Sequence, residues 1–181
     1  MTAHSRSEPG PRASMPGARA LQGRTIVVTR AAAQAQRFTQ LLESAGARVV
    51  EAPVIAIAPP ASWEPLDEAL RALDSFAWVI FTSVNGVAMV DRRLAALDLG
   101  WSAMTGRRVA AIGPATADAL AEHGVRPDLV PGEYRAEGLV ERLRGLIRSG
   151  DRVLLPRAAQ TRDVLVVELK RLGAQVTEVA A

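Results

Sequence analysis

The sequence predicts an α/β fold, with parallel sheets flanked by helices. Three observations lead there. Beyond residue 23, short β-branched or aromatic runs alternate with Ala- and Leu-rich stretches at helical spacing. Several of those stretches stop at a glycine, as at Gly46 and Gly124, the usual left-handed end of a helix. The chain also repeats itself: at an offset of 127, residues 23–52 align with 150–179 without gaps, and nine of the 30 columns are identical.

The first strand is expected at 25–29 (Thr-Ile-Val-Val-Thr), whose continuous apolar character suits a buried parallel strand. A helix follows, with Phe38, Leu41 and Leu42 on one face, and ends at Gly46. Residues 49–57 read as a second strand broken by Pro53, and Pro59-Pro60 with Trp63 as a linker. Then come a helix at 66–73, a strand at 78–81 and a helix at 85–97. A strand at 109–112, a helix at 114–123 and a short strand at 128–130 continue the pattern. A helix at 136–148, a strand at 152–155, a helix at 163–172 and a strand at 176–179 complete it.

Residues 1–23 differ in kind. Pro9, Pro11, Pro16, Gly10, Gly17 and three serines, without an apolar stretch, read as a disordered tail, and Met15 stands as a candidate start. The domains expected are this tail (1–23), an opening βαβ piece of a discontinuous first domain (24–57) and a complete second domain (58–179). So small an opening piece leaves apolar side chains uncovered, among them Ile26, Val28, Phe38, Leu41 and Val49. The repeat places second copies of the turns near residues 82 and 113 beyond residue 181, so the chain reads as the first part of a longer protein.

Composition excludes several functions. Of 181 residues, none is Cys, which removes thiol nucleophiles and Cys-held zinc. The histidines are His4, in the tail, and His123, just before a glycine stop, so His-based metal sites and Ser-His-Asp triads lack material. The formal charge is +3, with +2 of it in the tail, and aromatics are 4%; a clustered basic face with stacking rings is missing, and nucleic acid is not an expected partner. No apolar run approaches the ~20 residues of a membrane helix. Neither a Gly-x-Gly-x-x-Gly fingerprint nor a Gly-x-x-x-x-Gly-Lys loop occurs, which argues against NAD and ATP.

The candidate site lies where strands lead into helices. Thr29-Arg30, Thr82-Ser83-Val84-Asn85-Gly86 and Gly113-Pro114-Ala115-Thr116 are such places. In open parallel sheets ligands gather at the carboxyl ends of strands, and helix N-termini there favour carboxylate or phosphate. Thr82, Ser83 and Thr116 serve equally as capping residues, with Pro114 at the first helical position. Arg30 and Arg157 each follow a strand end, and Arg162 lies near the start of a helix; each suits a bidentate pair with a ligand carboxylate, or reads as a solvated side chain or local salt bridge. Glu137 reads as a complement to a helix dipole, His123 as a helix-end residue, and Trp63 and Trp78 as packing residues.

Taken in order, Val27-Val28-Thr29-Arg30, Gly46-Ala47, Pro53-Val54-Ile55 with Pro59, Ile80-Phe81-Thr82-Ser83-Val84-Asn85-Gly86-Val87, Ala111-Ile112-Gly113-Pro114-Ala115-Thr116-Ala117, Ala136-Glu137-Gly138-Leu139 and Leu154-Leu155-Pro156-Arg157 resemble the uroporphyrinogen-III synthase family. The resemblance implies two α/β domains around a cleft, the first of them discontinuous. It implies cyclisation of hydroxymethylbilane to uroporphyrinogen III in tetrapyrrole (haem) biosynthesis, with inversion of the last pyrrole ring, loss of water and no cofactor. By the same resemblance, Arg30, Thr82, Ser83, Asn85, Gly113, Thr116, Arg157 and Arg162 would bind a substrate bearing eight carboxylates. The full-length protein would be a cytoplasmic monomer with neither nucleic acid nor membrane as partner. By the resemblance, the candidate general acid is a Tyr just after the last strand seen here, a position this sequence does not reach, so no catalytic residue is assigned. Tyr134 lies in a predicted loop and does not inherit that role. The chain reads as a truncated synthase of impaired activity; the alternative is a non-catalytic α/β module that binds an anionic ligand.

Overall fold

The structure, a computed structural model, describes residues 20–54, 58–158 and 164–181, with the side chains of 32–34 excepted. Residues 1–19 of the expected tail, Ile55 and Arg162 therefore lie outside the described residues. The chain divides into two compact units between Ala58 and Pro59.

In the first unit, strand β1 (Thr25–Val28) lies parallel to β2 (Arg48–Glu51), joined by helix α1 (Ala32–Ser44). Val28, Ala31 and Ala35 are buried, whereas Val27, Phe38 and Leu41 are exposed. The expectation that Val28 would be uncovered is corrected by its burial. Residues 20–23, expected in the tail, form a turn instead, tied down by the Leu21 N–H donating to the Ala45 carbonyl at 2.9 Å. The second strand stops at Glu51 rather than crossing Pro53, which has no N–H for a ladder.

The second unit carries a four-stranded parallel sheet in the order β4-β3-β5-β6. It comprises β3 (Trp78–Phe81), β4 (Arg108–Ala111), β5 (Arg152–Arg157) and β6 (Gln175–Ala180). Side chains alternate across a sheet, so β3 divides itself between two cores. Val79 and Phe81 join Leu66, Leu70, Val90, Leu94 and Leu120 from α2 (Glu64–Arg71), α3 (Val84–Ala96) and α4 (Pro114–Glu122). On the other face, Trp78 and Ile80 join Leu139, Leu143, Leu165 and Leu169 from α5 (Ala136–Leu143) and α6 (Val164–Arg171). The chain thus winds outward from β3 to β4 on one face, then returns past it to β5 and β6 on the other.

Several element boundaries differ from expectation, three of them for reasons visible in the structure. Residues 128–130 make a single bridge, Leu129 to Ala110, instead of a strand. Pro131 supplies no N–H, and Asp128 Oδ2 accepts the Val109 N–H at 2.7 Å, a side chain competing with the main chain. The helix expected to reach 148 ends at Leu143 because Gly145 takes a φ of 83°. β5 runs through Pro156 because its ladder with β3 stops at Val79↔Leu154, short of the position where a missing N–H would break it. A short 3₁₀ turn at Trp101–Met104 was not anticipated.

The 127-residue repeat is visible in the backbone. Thr25↔Arg48 opens the first ladder, and its repeat equivalent Arg152↔Gln175 opens the second. Gly46 and Gly173 have φ of 92° and 93°. A Cβ on Gly46 would stand 3.3 Å from backbone of Gln22, and one on Gly173 3.0 Å from backbone of Ser149, again 127 residues on. The same close turn between helix and strand is built twice.

Candidate functional site

Because β4 and β5 flank β3 on opposite sides, the crevice of this sheet opens at the carboxyl ends of β3 and β5, where the winding reverses. Thr82, half-buried, leaves β3 there. Ser83 follows in extended conformation and caps α3, its Oγ accepting the Gly86 N–H at 3.1 Å. Gly86 is buried against β5: a Cβ on it would come 3.0 Å from the Pro156 carbonyl oxygen. Asn85, half-buried, occupies the same first turn.

The end of β4 repeats the arrangement. Gly113 caps α4, Pro114 takes its first position, and Thr116 is buried in its first turn. The first N–H groups of α3 and α4 have no partners within their own helices, and both helices leave adjacent strands at the same edge. This edge therefore offers two positive helix ends to a ligand bearing several carboxylates. Ser83 takes the capping role that the sequence offered it, and Pro114 sits as expected.

Gly113 has a second neighbour that the sequence did not reveal. The Cβ and Cγ of Tyr134 lie 3.2 Å from where a Cβ on Gly113 would stand, so the ring rests on the glycine. Tyr134 is 63% exposed and extends this wall towards solvent. Glu133 and Arg135 bracket it, with Arg135 Nε and Nη2 donating to Glu133 Oε2 at 2.9 and 2.6 Å. That hydrogen bond, helped by the charge of the same Glu133, holds the guanidinium above its ordinary value. The only signal in the sequence was the single tyrosine in an otherwise polar turn; its partner is 21 residues away.

The two repeat-related arginines have different surroundings. Arg157 is 4% exposed, and its Nε and Nη2 meet Glu178 Oε1 at 3.0 and 2.9 Å, a local salt bridge as one of the expected alternatives has it. In the first copy the equivalent glutamate, Glu51, instead accepts the Thr39 hydroxyl at 2.7 Å, and Arg30 is exposed without an ion pair among the described residues. Thr82, Ser83, Asn85, Gly113, Thr116 and Arg157 belong to the second unit, Arg30 to the first.

Of the remaining residues singled out, the two tryptophans have packing roles and His123 and Glu137 lie at helix ends. Trp78 is fully buried, and Trp63 lies under Arg93, whose guanidinium carbon is 5.3 Å from the ring centroid. His123 ends α4, and Glu137 sits in the first turn of α5. Among the described residues no group of acidic and histidine side chains could hold a metal, and no helix is long and apolar enough to cross a membrane.

Known proteins resemble this chain in sequence and in fold. The family model for uroporphyrinogen-III synthase HemD matches residues 36–181. A uroporphyrinogen-III synthase of Synechococcus elongatus is 43% identical over 162 residues, covering 89% of this chain and 61% of the relative. Crystal structures of uroporphyrinogen III synthase from Thermus thermophilus superpose with TM-scores of 0.57 (wild type) and 0.65 (a mutant). At 21% and 22% identity, they cover 87% of this chain and 61% of theirs, which shows a shared fold. The chain thus spans about 61% of the length of the curated relative and the solved structures. A family match across most of its length, on a doubly wound sheet of the same fold, means that this chain belongs to the uroporphyrinogen-III synthase family.

Proposed function

We propose that the chain serves the uroporphyrinogen-III synthase reaction: closure of hydroxymethylbilane to uroporphyrinogen III with inversion of the last pyrrole ring and loss of water. The observation that supports it most directly is the pair of helix N-termini, α3 and α4, opening at one edge of the sheet beside Thr82, Ser83 and Thr116. Main-chain N–H groups held there suit the carboxylates of a linear tetrapyrrole and orient its end rings for closure. Of the two arginines, exposed Arg30 is the better carboxylate ligand, while Arg157 positions the end of β5 through Glu178. Residues 24–57 then act as the opening piece of one domain and 58–179 as the whole of the other. The setting is a cytoplasmic monomer without nucleic-acid or membrane partner.

The exposed Val27, Phe38 and Leu41 leave the first unit poorly consolidated, so turnover by the 181 residues alone is expected to be slow. The test supplies purified chain with fresh hydroxymethylbilane, oxidises the product and separates the isomers, with uroporphyrinogen III binding measured in parallel. Uncatalysed closure gives isomer I. Binding, with isomer III above background and both reduced by Thr82→Ala and Arg30→Ala, is the expected result. A chain that neither binds the tetrapyrrole nor forms isomer III overturns the proposal.

A further inference from the structure

Tyr134 is the only tyrosine of the chain, and its side chain is mostly exposed although the turn that carries it is firmly held. Pro131 before it and Leu139 after it are buried. The Glu133 carbonyl accepts the Arg135 N–H at 2.9 Å, and the Arg135 carbonyl accepts the Leu139 N–H at 3.1 Å. The Glu133 carbonyl also lies so close to Gly138 that a Cβ there would collide with it. On the ring side, Cβ, Cγ and Cδ1 of Tyr134 lie 3.2, 3.2 and 3.4 Å from where a Cβ on Gly113 would stand. A side chain at 113 would push the ring away, and one at 138 would shift the turn beneath it. Single exposed aromatics are ordinary, but this one is seated by two glycines from different elements. The freedom of such a ring is lost on folding rather than on binding, which favours its use as a contact surface.

The seat lies at the candidate site. Gly113 caps α4 at the end of β4, and the Ile112 N–H donates to the Phe81 carbonyl at 2.9 Å. The Gly113 turn is therefore next to Thr82, at a strand spacing of about 4.8 Å. The segment carrying Tyr134 arrives along the edge of β4 that β3 leaves free, through the Leu129–Ala110 bridge. Thr82 and Tyr134 thus flank the start of α4 from opposite sides. Pro114 has no N–H, and the Ala117 N–H returns to the Gly113 carbonyl at 3.0 Å, so the donors without a partner in the helix are those of Ala115 and Thr116. The carboxylate of Glu133, next to Tyr134 in the chain, is paired with Arg135, which reduces its repulsion of an anionic ligand.

We propose that Tyr134 is a substrate-contacting residue whose ring stacks on one carboxylated pyrrole of the tetrapyrrole. The proposal rests on the synthase reading above and adds a residue to it. A pyrrole is flat and π-rich, as a stacking partner must be, and its carboxylates can turn to the main-chain N–H groups at the start of α4. The contact is made by the ring, so Tyr134 orients that pyrrole and takes no part in proton transfer.

The experiment titrates uroporphyrinogen III, kept reduced, into the parent chain and into Tyr134→Phe and Tyr134→Ala. In the parent, the tyrosine ring resonances should move saturably with the ligand. Tyr134→Ala should raise Kd about tenfold, while Tyr134→Phe, which keeps the ring, should stay within about threefold of the parent. The unliganded Tm should change by no more than about 2 °C in either variant, because the side chain is mostly exposed. Binding that Tyr134→Ala leaves intact, or that does not move the tyrosine resonances, overturns the contact and leaves the synthase reading standing. Equal weakening by Tyr134→Phe and Tyr134→Ala overturns stacking, since the hydroxyl would then carry the interaction. A parent chain that does not bind the tetrapyrrole overturns both readings.

Discussion

Replacing Gly138 by alanine sets two effects of opposite sign against each other. Gly138 lies in the first turn of α5, where alanine is the better helix former by at most about 1 kcal/mol. A Cβ there, however, would stand 2.8 Å from Glu133 Cβ and closer still to the Glu133 carbonyl oxygen. Ordinary contact begins near 3.4 Å, so the turn must retreat by about 0.6 Å or more, and the atom in the way is backbone. Overpacking of this kind costs about 1–3 kcal/mol, so the substitution should destabilise the protein by a net ~1–2 kcal/mol. At about 3 °C per kcal/mol for a chain of this length, Tm should fall by roughly 3–6 °C. The displaced segment includes Tyr134, so its ring should also lift from Gly113. Calorimetry gives the first quantity. The ring resonances of the chain's single tyrosine report the second. A Tm that stays level or rises, with Tyr134 resonances unchanged, would show that propensity rather than close approach governs this position.

Other outcomes follow from the same geometry. Ser83→Ala removes the acceptor of the Gly86 N–H and should cost ~1 kcal/mol in urea denaturation; an unchanged midpoint would mean that α3 needs no side-chain cap. Glu178→Ala removes the carboxylate that meets Nε and Nη2 of the buried Arg157. It should cost ~2 kcal/mol, below the ~3–5 of a fully buried pair because Glu178 is 35% exposed, with Glu178→Gln recovering part of the loss. Equal stability of both variants with the parent would remove the pair from the account. Limited proteolysis should cut first between residues 52 and 62 and release a resistant fragment beginning near Pro59; early cuts within β3 would contradict an independent second unit.

Local information carried much of the fold. Helix stops at Gly46, Gly124 and Gly173, the Ser83 cap and Pro114 at a helix start are each decided by one residue and its immediate neighbours, and all appear where the sequence puts them. The boundaries that moved did so for non-local reasons. β5 passes through Pro156 because its ladder with β3 stops at Val79↔Leu154, and 128–130 fails as a strand because the Asp128 carboxylate takes a main-chain donor of β4.

By itself, then, the sequence determined the alternation of elements, the duplicated turn 127 residues apart and the strand ends that open into helices. These depend on backbone preference and periodicity, which act over a few residues. The tertiary structure alone decided what each side chain meets. Arg30 and Arg157 occupy equivalent columns of the repeat, yet one is exposed and the other is clasped by Glu178. Tyr134 gained a place beside the site through Gly113, and Gly138 owes its small size to the Glu133 carbonyl. Partnership between distant residues depends on distance and burial, and those exist only once the sheet has brought its strand ends together.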